Sequence, residues 1–116
     1  MADWIIVVDD DENNLMMAGH ILSTAHMKVT AMKSGRDLLA FLKEREVPDL
    51  ILLDIKMPGM DGFETLTELR KLEKAKEVPV IFLTADDKSE TEAIGLSLGA
   101  VDFIKKPFVP EVLKLR

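Results

Sequence analysis

Three carboxylates that close two apolar runs carry the strongest chemical signal in this sequence. Ile5-Ile6-Val7-Val8 runs directly into Asp9 and Asp10, and Leu50-Ile51-Leu52-Leu53 runs into Asp54. Short apolar runs of this kind read as buried strands. If the two are parallel neighbours, their closing acids fall together at one sheet edge. Crowded carboxylates repel, and a hard, oxygen-seeking cation such as Mg²⁺ is the natural group to neutralise them. Two more strand ends supply complementary groups: Thr84 closes Val80–Leu83, and Lys105 and Lys106 follow Val101–Ile104. A hydroxyl and an ammonium beside carboxylates and a cation suit a phosphoryl group in transfer, whose anionic oxygens need donors and positive charge. Asp54 is then placed to act as a nucleophile that forms an acyl phosphate.

Taken singly, each feature has a plainer explanation. Asp9–Asp11 suits the positive end of a helix dipole. Asp54 and the segment Met57-Pro58-Gly59-Met60-Asp61-Gly62 suit a tight turn. Thr84 is an ordinary strand-end residue, and a lysine doublet after a strand is ordinarily solvated. Coincidence decides against these readings, because four of the five expected strands end in chemically matched groups on the same edge.

The elements that must position these groups alternate in type. After the first strand, Asp11–Asn14 offers caps for a helix reaching about Ala25, with Leu15, Ala18, Ile21 and Leu22 on one face. Lys28–Ala31 is a weak strand. Ser34 caps a second helix that turns Leu38, Leu39, Phe41 and Leu42 inward and carries Asp37 in its first turn. Val47-Pro48-Asp49 ends it before strand Leu50–Leu53. A third helix follows Gly62, with Phe63, Leu66, Leu69 and Leu72 spaced as one buried stripe, and Glu77-Val78-Pro79 stops it. Val80–Leu83 is the fourth strand, and Ser89 to Leu98 the fourth helix, closed by Gly99. Val101–Ile104 is the fifth strand, and Pro110–Arg116 begins a last helix. Trp4, at the start of the first strand and far from the acids, reads as packing.

Five strands alternating with five helices predict an α/β, doubly wound parallel sheet of the flavodoxin-like order 2-1-3-4-5, with helices on both faces. Ligands of such sheets bind outside the carboxyl ends of the strands where the winding reverses, which for this order lies between strands one and three. Those are the strands that end in Asp9-Asp10 and Asp54.

A length of 116 residues fits a single domain. A net charge of −6 and a pI near 4.9 argue against direct binding to nucleic acid or to an anionic membrane, which need a basic face. Cysteine is absent, which excludes disulfides and thiolate sites. No apolar run approaches the roughly 18 residues of a membrane span, and a cytoplasmic location is the expectation.

Over essentially its whole length the sequence resembles the receiver domain of two-component response regulators, of the chemotaxis-regulator-like kind. Val8-Asp9-Asp10, Leu53-Asp54, Met57-Pro58-Gly59-Met60-Asp61-Gly62, Leu83-Thr84-Ala85, Gly99-Ala100 and Lys106-Pro107-Phe108 carry the resemblance. It implies that Asp54 accepts the phosphoryl group. Asp10 binds Mg²⁺ directly, Asp9 assists through a metal-bound water, and the Lys56 backbone carbonyl completes the protein ligands, with Mn²⁺ able to substitute. Thr84 and Lys106 each bind a phosphoryl oxygen; strand position alone leaves Lys105 and Lys106 equivalent, and the family's Lys-Pro pairing selects Lys106. Phe103 stands where the family carries a switch aromatic that follows the threonine.

The function so implied is a phosphorylation-dependent signalling switch, charged by a histidine kinase or a phosphotransfer protein and catalysing only its own phosphorylation and dephosphorylation. Two other functions compete with this one. A phosphohydrolase of the haloacid dehalogenase type needs a second Asp two residues after its nucleophile, where this chain has Lys56. A receiver-like binding module that takes no phosphate generally lacks one of the acids, the Thr or the Lys, all retained here. The last helix has only about seven residues from Pro110, marginal alone, so an effector domain beyond Arg116 is expected, with a stand-alone receiver as the alternative. Of the charge pairs that lace dimers of DNA-binding relatives, only that of Asp102 and Arg116 is matched, so weak or no dimerisation is expected of this segment. Lys56 and Asp86 flank the phosphoryl site from two loops; they are either an ion pair that sets the phosphate lifetime or two independent solvated side chains.

Overall fold

Residues 3–44, 46–55, 57–75, 77–84 and 102–105 are described by a computed structural model. The strands are β1 (Trp4–Val8), β2 (Lys28–Met32), β3 (Leu50–Asp54), β4 (Val80–Thr84) and β5 (Asp102–Lys105). The helices among the described residues are α1 (Glu12–Thr24), α2 (Gly35–Glu44) and α3 (Gly62–Leu69). All strand pairings are parallel, and the sheet runs β2-β1-β3-β4-β5. The expected helices at Ser89–Leu98 and Pro110–Arg116 lie outside the described residues.

Period-two alternation divides the central strands between two cores. On one face Ile6, Val8, Ile51, Leu53, Val80 and Phe82 pack with Leu38 and Leu42 of α2 and Leu66 and Leu69 of α3. On the other, Ile5, Val7, Leu52, Ile81 and Leu83 pack with Leu15, Ala18, Ile21 and Leu22 of α1. Strands covered on both faces must be apolar throughout, which is why β1, β3 and β4 read as unbroken hydrophobic runs. Because α1 lies on one face and α2 and α3 on the other, the winding reverses between β1 and β3.

Local chemistry fixes the ends of these elements. Asp11 caps α1, its carboxylate accepting from the Asn13 N–H at 2.8 Å. At the other end of α1 the His26 N–H donates to the Ser23 carbonyl and the Met27 N–H to the Leu22 carbonyl, with His26 at φ 64°. This is a Schellman closure with histidine where glycine is usual. The Ser34 hydroxyl accepts from the Asp37 N–H at the start of α2. Trp4 packs edge-on against Phe41, with ring centroids 5.9 Å apart, and its indole N–H donates to the Thr30 hydroxyl at 3.0 Å.

The third helix stops earlier than its apolar stripe suggests. α3 ends at Leu69, Arg70 is its C-cap, and turns lead on to Pro79. The half-buried Arg70 guanidinium donates to the Val78 carbonyl at 2.8 Å, which satisfies backbone in that turn segment. Ala75 and Val78 are buried there, while Leu72 is only half-buried.

A candidate acidic site at the carboxyl edge of the sheet

β1 and β3 are in register from Ile5 and Leu50 to Val8 and Leu53, so the next residues, Asp9 and Asp54, lie side by side at the carboxyl ends of the two strands. The Asp9 N–H extends the ladder by one step, donating to the Met32 carbonyl at 3.0 Å. One carboxylate oxygen from each of Asp9, Asp10 and Asp54 lies within 4.8 Å of the other two. Asp9 is fully buried, Asp54 is 5% exposed and Asp10 faces solvent.

The acidic run at the end of β1 therefore divides its labour. Asp11 serves the helix, while Asp9 and Asp10 join Asp54. The Asp11 N–H in turn donates to Asp9 Oδ1 at 3.0 Å, which orients the buried carboxylate. Like charges about 4 Å apart repel by roughly 1 kcal/mol in bulk water and about 4 kcal/mol near a protein surface. A set of hard oxygen donors at this spacing, with one open to solvent, fits a divalent cation.

The loop after β3 is built to pass close beneath this edge. Pro58 followed by Gly59 at φ 80° has the chemistry of a type II turn. The Gly62 N–H then donates to the Ile55 carbonyl at 2.7 Å, folding the chain back onto the end of β3. Asp61 caps α3 in a reciprocal box: its carboxylate accepts from the Glu64 N–H at 2.8 Å, and the Glu64 carboxylate accepts from the Asp61 N–H at 3.2 Å. Asp61 is thus occupied with the helix.

Thr84 closes β4 one step beyond Leu83, the register partner of Asp54. In the β4–β5 register Phe103 pairs with Phe82, and Lys105 with Thr84. Lys56, Asp86 and Lys106 lie outside the described residues. At the same edge, the Lys33 ammonium after β2 is hydrogen-bonded to the Glu12 carboxylate at the start of α1. That hydrogen bond, helped by the lysine's charge, holds the exposed Glu12 carboxyl below its ordinary range. Twenty-one residues separate the members of this pair, so no local spacing pointed to it. Among the described residues no helix is long and apolar enough to cross a membrane.

The response regulator receiver domain family matches residues 5–116. Response regulator PleD of Caulobacter vibrioides is 38% identical over 107 residues, covering 92% of this chain and 23% of PleD. A probable cyclic di-GMP phosphodiesterase of Vibrio cholerae is 37% identical over 112 residues, 97% of this chain and 25% of that protein. Among solved structures, the Vibrio cholerae chemotaxis protein CheY4 superposes with a TM-score of 0.93 at 31% identity, covering 99% of this chain and 95% of CheY4. The chain belongs to the response regulator receiver domain family, the phosphorylation-dependent switches of two-component signalling. It has the flavodoxin-like parallel sheet of that family, and it spans about a quarter of the length of the curated relatives it matches.

Proposed function

We propose that this domain accepts a phosphoryl group on Asp54 from a phosphohistidine of a histidine kinase or phosphotransfer protein. The observation that carries this reading is the meeting of the Asp9, Asp10 and Asp54 carboxylates within 4.8 Å at the point where the winding reverses. An Asp54 carboxylate oxygen attacks phosphorus, the bond from phosphorus to the imidazole nitrogen breaks, and an acyl phosphate forms on Asp54. Asp10 and Asp54 hold Mg²⁺ directly together with the Lys56 backbone carbonyl, and Asp9 acts through water; Mn²⁺ can take the same place. Bound there, the cation supplies positive charge to the phosphoryl oxygens.

Thr84 donates its hydroxyl to one phosphoryl oxygen and Lys106 its ammonium to another. Thr84 drawn toward the phosphate makes room for Phe103 to move inward, which gives the two states the different contacts a switch requires. Lys56 and Asp86 together set the lifetime of the acyl phosphate. The full domain is the doubly wound sheet of five strands with five helices, resides in the cytoplasm and dimerises weakly or not at all. It relays its state to an effector domain beyond Arg116 or to a separate protein, and binds neither nucleic acid nor membrane itself.

Treatment with acetyl phosphate and Mg²⁺ tests the assignment by mass spectrometry. One added phosphoryl group is expected, absent from Asp54→Asn. Labelling that survives this substitution would place the acceptor elsewhere.

A further inference from the structure

Thr65 is the one fully buried side chain among the described residues of α3 that is polar. Its hydroxyl donates to the Asp61 carbonyl at 2.8 Å, the same oxygen that accepts the Thr65 N–H at 2.9 Å. Threonine reaches back to the carbonyl four residues earlier in this way when χ1 turns its oxygen toward the preceding turn. The Asp61 backbone and side chain are then all engaged: carbonyl to Thr65, N–H and carboxylate to Glu64. The next residue, Gly62, donates to Ile55 beside Asp54. Little slack lies between the Thr65 hydroxyl and the end of β3.

On its other side Thr65 meets α2. A Cβ on Gly35 would stand 1.9 Å from Thr65 Oγ1, so the first residue of α2 leaves the space that this hydroxyl fills. We propose that Thr65 is a positioning residue for the acidic site, its hydroxyl fixing the turn that runs beneath Asp54, with Gly35 as the contact that lets it do so. The proposal rests on the reading of Asp10 and Asp54 as the metal and phosphoryl site. It places a control point for that site at the junction of α2 and α3, on the face of the sheet opposite α1. A hydroxyl lost or displaced there shifts the start of α3. Gly62 passes that shift to the Asp54–Ile55 backbone, because it is packed too closely there to absorb it.

The test compares Thr65→Val, which keeps the shape and removes the hydroxyl, with Thr65→Ser, which keeps the hydroxyl. Mn²⁺ binding is followed by the paramagnetic resonance of the free ion, and folding by a thermal melt in the absence of metal. Thr65→Val is expected to weaken Mn²⁺ binding about 5-fold, below the roughly 10-fold or more that follows loss of a group bonded directly to a metal ligand, with Thr65→Ser within about twofold of wild type. Gly35→Ala, which keeps the hydroxyl but displaces it, is expected to weaken binding in the same direction and carries the test if Thr65→Val does not fold. Wild-type affinity in a folded Thr65→Val or Gly35→Ala protein overturns the proposal, even if the melting temperature falls. Equal losses in Thr65→Val and Thr65→Ser also overturn it, since packing would then be the cause. Asp10→Asn separates the two levels of inference: if it leaves Mn²⁺ binding intact, the assignment of the acidic site itself is wrong.

Discussion

Gly62 is packed so tightly beneath the phosphoacceptor candidate that a Cβ on it would stand 2.4 Å from the Asp54 carbonyl oxygen and 2.8 Å from the Ile55 Cα. Both atoms are backbone and cannot swing aside. Gly62→Ala is therefore expected to cost about 1–3 kcal/mol by overpacking, measured by denaturant unfolding, and to weaken Mn²⁺ binding as the end of β3 is pushed outward. Unchanged stability would mean that the loop has room this geometry denies it.

Removing a carboxylate should stabilise the metal-free protein. In Asp10→Ala and Asp54→Ala one source of repulsion in the cluster is gone, so both are expected to melt above wild type without metal. Both are also expected to lose most of the stabilisation that Mg²⁺ gives the wild type, because fewer donors remain to hold it. Thermal melts across a Mg²⁺ series check both halves; variants that keep the full response would remove these residues from the site.

His26 offers a stabilising change remote from the chemistry. It occupies a left-handed backbone conformation at the end of α1, which costs a side-chain-bearing residue about 1 kcal/mol that glycine avoids. His26→Gly is expected to recover up to that amount in a urea unfolding curve.

Breaking the ion pair at the rim should be visible in a titration. In Lys33→Ala the Glu12 carboxyl is expected to return upward to the ordinary glutamate range, followed by NMR against pH. The shift in the folded protein is downward, so the pair's contribution to stability is present above the unfolded-state value and is lost as pH falls through the folded one. An exposed pair of this kind contributes little to stability.

Lys56 and Asp86 call for a double-mutant cycle on the decay of the acyl phosphate. Lys56→Ala is expected to hydrolyse faster than wild type, and the double Ala variant to differ from the sum of the single effects. Independent addition would show that the two side chains act separately.

Much of the fold was legible because its strands are covered on both faces. The runs Ile5–Val8, Leu50–Leu53 and Val80–Leu83 have no polar interruption, and each gives way to a polar residue where the cover ends. The meeting of Asp9, Asp10 and Asp54 followed from strand order alone. Less was visible where tertiary contacts override periodicity. Leu72 continues the stripe of α3, yet the helix stops at Leu69, and Arg70 reaches the Val78 carbonyl instead. Thr65 was missed because it flanks the Phe63, Leu66, Leu69 stripe and looks like an exposed polar residue. Only its spacing of four from Asp61 hinted otherwise, and the space left by Gly35 belongs to another helix. The weak strand Lys28–Ala31 extends to Met32, drawn out by pairing with Val8.

Trp4 and Asp9 begin and follow the same strand, five residues and so about 17 Å apart at the usual rise of a β-strand. The only indole in the chain is thus held at the amino edge of the sheet, between Phe41, Thr30 and the Lys28 ammonium 4.9 Å from its ring. Its emission is a gauge of whether β1, β2 and α2 are assembled, and ions arriving at the opposite edge are too distant to quench it by contact. Nature has left this domain with a built-in fluorometer wired to folding, so unfolding can be read optically in the same cuvette in which ligation is read by another signal.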